Sequence, residues 1–167
     1  MQITAIVPSA ITSLRVAALP FLLFFLYEGN SNFFLALFLF AAGTDILDGY
    51  TARKFTTTSR AGAYYDALAD FNLIAGVFAI FTITGVYPPW ILGIVLVSFA
   101  LFIATSLSRT RIYDPVGKYW GGLLYVVIAM TVAIRAEAFL AMAQLVIAGF
   151  FAVSLASRIA WLLRETA

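Results

Sequence analysis

Six long apolar stretches constrain this chain more than any motif does. A helix that crosses the hydrocarbon of a bilayer needs about 20 mostly apolar residues. The first candidate span runs from about Ala5 to Tyr27, and Glu28-Gly29-Asn30-Ser31-Asn32 breaks the pattern after it. The second runs from Phe33 to about Lys54 and is followed by Thr56-Thr57-Thr58-Ser59. The third covers Arg60 to about Thr84 and ends at a turn from Gly85 to Pro89. Pro88-Pro89 suits the first turn of the fourth helix, which ends near Arg109. Asp114-Pro115 reads as an N-cap followed by proline at the first helical position, opening a fifth helix that ends near Arg135. The sixth ends near Arg164. The break before it, Arg135-Ala136-Glu137, holds neither glycine nor proline. The expected fold is an all-α integral membrane protein with six transmembrane helices in a single domain, residues 1–167.

Composition agrees with a lipid-facing surface. The chain is 63% hydrophobic and only 11% charged, against about 25% charged in soluble domains. The apolar start lacks a basic leader region and a clear small-residue cleavage site, so it reads as a retained helix. Alternating helix ends put Arg15, Arg53, Lys54, Arg60, Arg109, Arg111, Lys118, Arg158 and Arg164 on one side of the membrane and Arg135 on the other. The basic side is the cytoplasmic one, with both termini there, so the protein is expected in the cell membrane. Lys54, Arg158 and Arg164 read as orientation charges. A net charge of +2 gives no reason to expect nucleic acid.

Asp45, Asp48, Asp66 and Asp70 fall inside the second and third spans. Each ionisable group in a span costs roughly 2.5–3.5 kcal/mol on insertion scales, so such a set needs a reason. Asp45 and Asp48 are three residues apart and Asp66 and Asp70 four, so each pair shares a helix face. Around a tight turn near Thr57-Thr58, Asp48 matches Asp66 in depth and Asp45 matches Asp70. All four then lie roughly 10–15 Å from the cytoplasmic helix ends. Carboxylates gathered at one depth raise one another's pKa, and cations relieve this. The chain has no cysteine and no histidine, so a metal here is held by oxygen, which favours hard ions such as Mg²⁺ or Mn²⁺. Paired metals suit in-line displacement at phosphorus. Protonated aspartates that only cap or cross-link helices are the plainer alternative. It explains one such residue better than four at matched depth.

Between the pairs, Gly49, Ala52 and Gly62 let a ligand or another helix approach the backbone. Arg53 either clamps a phosphate or extends its head to the interface. Arg60, Arg109, Arg111 and Lys118 are cations on the same side, suited to an acceptor that carries its own phosphate. Their plainer role is orientation or contact with anionic lipid.

The pattern Asp45-x-x-Asp48-Gly49-x-x-Ala52-Arg53, eight residues, Gly62-x-x-x-Asp66-x-x-x-Asp70 resembles the signature of the CDP-alcohol phosphotransferases. The six spans resemble that family as well, so the likeness covers nearly the whole chain. Pro8-Ser9-x-x-Thr12-x-x-Arg15 is similar to its first-helix entry, with Ser9 where relatives often have Asn.

The resemblance implies a CDP-linked lipid whose diphosphate lies on two divalent cations. An acceptor hydroxyl attacks the lipid-side phosphorus and CMP leaves. It further implies Asp45, Asp48 and Asp66 as metal ligands, with Asp70 completing the metal site and acting as general base. Gly49, Ala52 and Gly62 would make room for the nucleotide, Arg53 would support it, and the enzyme would be a homodimer. With no histidine, Asp70 is also a reasonable base on its own chemistry.

Arg109-Thr110-Arg111 is similar to an element of inositol-phosphate enzymes, and Phe71 stands where glycerol-phosphate relatives commonly have Lys. The expected acceptor is therefore a phosphorylated polyol, inositol phosphate ahead of glycerol 3-phosphate. Serine and amino alcohols remain open.

Other classes fit less well. A membrane prenyltransferase sets its acidic motifs far apart on a longer chain, and an Asp-lined cation transporter needs acidic residues at several depths. A helical scaffold has no use for matched carboxylates. Asp70→Asn is expected to abolish CMP release, and near-native turnover in that variant would overturn the base assignment.

Overall fold

The computed structural model describes the backbone of residues 6–54, 60–107 and 119–165, and the side chains of residues 16–43, 67–104 and 119–161. The described residues form six α-helices: α1 (Ile6–Tyr27), α2 (Ser31–Lys54), α3 (Arg60–Ile83), α4 (Pro89–Leu107), α5 (Trp120–Ile134) and α6 (Glu137–Glu165). The all-α expectation holds, and the described ends fall within a few residues of the expected ones except at the start of α5. There the described helix opens at Trp120, and the expected cap at Asp114-Pro115 lies outside the described residues. Among the described residues, one stretch, Glu137–Trp161 of α6, is long and apolar enough to cross a membrane. The other apolar stretches are shorter: Val16–Tyr27, Ser31–Gly43, Ala67–Ile83, Pro89–Ala104 and Trp120–Ile134.

The chain divides into two compact units, Met1–Ile80 and Phe81–Ala167. In the first, α1 packs on α2 across a tightly closed turn. Gly29 takes φ +74°, a left-handed conformation that costs glycine little. The Gly29 N–H then donates to Leu26 O at 3.1 Å and the Asn30 N–H to Phe25 O at 2.9 Å, the paired bonds that end a helix with its last carbonyls satisfied. Asn30 opens α2, its Oδ1 accepting from the Phe33 N–H at 3.5 Å. The core of this unit is Leu22 and Leu26 of α1, Phe34, Phe38 and Ala41 of α2, and Ala69, Leu73, Ile74, Val77 and Phe78 of α3.

Gly76 of α3 lies against Leu23 and Leu19 of α1. A methyl group built there would sit 3.2 Å from Leu23 Cδ2 and 3.7 Å from Leu19 Cδ1. Leu23 can swing its tip away from one methyl but not from a branched side chain. Gly76→Ala is expected to leave the thermal midpoint in detergent nearly unchanged, and Gly76→Val to destabilise the protein by about 1–3 kcal/mol.

In the second unit, α6 packs on both α4 and α5. Buried positions on α5 recur as Leu124, Val127, Ile128, Thr131 and Val132, one stripe of a helix. On α6 they recur as Ala143, Ile147 and Ser154. Trp120 lies against Phe150, ring centroids 5.5 Å apart. The turn after α3 repeats the device of the first unit. Gly85 has φ +73°, its N–H donates to Thr82 O at 3.2 Å, and the Val86 N–H donates to Phe81 O at 2.8 Å. The α5–α6 break is different, because Arg135 itself takes the left-handed conformation, φ 49°, while its N–H donates to Thr131 O.

Tyr87 is buried beside this turn and shares a 2.8 Å hydrogen bond with the Thr131 hydroxyl. Burial pushes the Tyr87 pKa up, the bond to Thr131 opposes this in part, and the phenol stays neutral. Tyr87→Phe is expected to cost about 1 kcal/mol in unfolding. The Tyr87→Phe, Thr131→Val double variant should recover part of that, because no buried hydroxyl is then left without its partner.

Candidate active site

The acidic motif lies in the first unit, on α2 and α3. Asp45, Asp48, Gly49, Ala52 and Arg53 are in α2, and Arg60, Gly62, Asp66 and Asp70 are in α3. Both segments are helical through these positions, so the same-face relation within each aspartate pair holds at the level of the backbone. Along the axis each pair spans roughly 4.5–6 Å.

The buried residues of the two helices place the pairs further. On α2 the core stripe is Phe34, Phe38 and Ala41. Position 45 follows these by eleven, seven and four residues, and position 48 follows Ala41 by seven. These are the spacings of a single helix face. On α3 the stripe after Asp70 is Leu73, Ile74 and Val77, at spacings of three, four and seven. Both acidic pairs therefore continue the stripes that build the apolar core of the unit.

Asp70 is half-buried, between buried Ala69 and Leu73. Asn72, two residues on, faces outward and turns its amide back to Leu68 O at 2.9 Å. The side chains of Asp45, Asp48, Asp66, Arg53 and Arg60, and the surroundings of Gly49, Ala52 and Gly62, lie outside the described residues. So do residues 55–59, with the expected turn near Thr57-Thr58, and Arg109, Arg111 and Lys118. Among the described residues no group of three metal-binding side chains occurs. Within the motif itself the donor set is carboxylate oxygen, which suits a hard divalent ion.

One basic residue is more covered than the sequence indicates. Arg158 of α6, expected only to orient the chain, is half-buried, with one guanidinium nitrogen out of contact with solvent. It stands four residues after buried Ser154, whose carbonyl accepts from the Ser157 hydroxyl at 2.9 Å. Nothing in the apolar pattern of the sequence marks Arg158 for burial. The distinguishing sign is the four-residue step from Ser154, itself on the buried stripe.

Comparison with known proteins supplies the family. Residues 5–163 match the CDP-alcohol phosphatidyltransferase family, and the chain belongs to it. A CDP-diacylglycerol–glycerol-3-phosphate 3-phosphatidyltransferase of Haemophilus influenzae is 45% identical over 67 residues, covering 38% of this chain and 36% of that protein. The Escherichia coli protein of the same name is 39% identical over 87 residues, 50% of this chain and 47% of that protein. A probable cardiolipin synthase (CMP-forming) of Drosophila melanogaster is 30% identical over 90 residues, 53% of this chain and 28% of that protein. The matches thus span between 28% and 47% of these relatives' own lengths.

Proposed function

We propose that this chain is a membrane phosphotransferase that moves the phosphatidyl-type group of a CDP-linked lipid onto the hydroxyl of a small polar alcohol and releases CMP. The observation that carries this reading is the placement of both aspartate pairs on the core stripes of α2 and α3. Four carboxylates at the period of an apolar stripe call for cations, and family membership gives those cations a diphosphate to hold.

In this reading Asp45, Asp48, Asp66 and Asp70 hold two divalent cations, Mg²⁺ or Mn²⁺. When bound, these would neutralise the diphosphate and the charge that develops on the departing CMP. Asp70 takes the proton of the acceptor hydroxyl as its oxygen bonds to the lipid-side phosphorus and the bond from that phosphorus to CMP breaks. Asp70 is half-buried and, in a chain without histidine, is a reasonable residue to accept that proton. Gly49, Ala52 and Gly62 leave room for the nucleotide, and Arg53 steadies it.

All six helices cross the membrane in one domain, with the motif toward the cytoplasm and the protein acting as a homodimer. The charge pattern supports this orientation, and the family resemblance supports the dimer. Placing the motif at the cytoplasmic face gives CDP-linked lipid and soluble acceptor access from one side.

For the acceptor, the named relatives reorder the sequence reading. Glycerol 3-phosphate moves ahead of inositol phosphate, although Phe71 stands where a lysine is common in such enzymes. Both acceptors are phosphorylated polyols, and the cations Arg60, Arg109, Arg111 and Lys118 support that class.

Purified protein given CDP-diacylglycerol and Mg²⁺ should release CMP with glycerol 3-phosphate and more slowly or not at all with inositol phosphate or serine. Chelation should stop the reaction and added Mg²⁺ or Mn²⁺ restore it. CMP release with serine alone would overturn the acceptor class, and release that survives chelation would overturn the metal site. Arg109→Ala and Arg111→Ala should each raise the acceptor KM while leaving CDP-lipid binding intact. An unchanged acceptor KM in both would remove these residues from the acceptor site.

A further inference from the structure

We draw no further inference here: the strongest candidate, the face of α3 around exposed Leu68 and Asn72, is an apolar helix face, and nothing among the described residues shows what covers it.

Discussion

Helical period ties the acidic motif of the first unit to its apolar core. A carboxylate facing lipid is unfavourable by a few kcal/mol, and it escapes that cost only by facing the protein interior, water or a cation. In α2 and α3 the aspartate positions share helical period with Phe34, Phe38 and Ala41 on one side and Leu73, Ile74 and Val77 on the other. A single helix face thus serves two ends in turn. Its apolar length packs the unit, and in the proposed function its far end would supply oxygen donors. The motif lies on helices rather than loops.

How much of this was legible in the sequence follows from what each signal depends on. The turns at Gly29 and Gly85 were readable because a left-handed residue at a helix end is usually glycine. The first helical residue of α4 was readable because Pro89 lacks an N–H that would be unsatisfied there anyway. The break before α6 was placed correctly but without a mechanism. Arg135 adopts a conformation that a side chain disfavours, and residue type alone does not announce such an exception.

For the site, the shared face of each aspartate pair is a matter of helical period and was legible from spacing. Which stripe that face belongs to required the buried residues on either side. The Tyr87–Thr131 bond was not legible, since it joins residues far apart in sequence and neither stands out by composition. The partial burial of Arg158 was not legible either, since charge type says which side of a membrane a residue prefers and not how much of it is covered. The cations at 109, 111 and 118 lie outside the described residues, so the acceptor class was legible only as an expectation from sequence.

The two glycine turns have a bearing on how the chain meets proteases. A protease binds its substrate as an extended strand and pairs with free backbone N–H and C=O groups. At Gly29-Asn30 and Gly85-Val86 the N–H groups already donate back into the preceding helix. To be cut there, the chain would first have to unwind the ends of α1 or α3 and give up those bonds. These corners are therefore poor cleavage sites even where they stand in water, and the helices they join stay tethered while the rest of the surface is sampled.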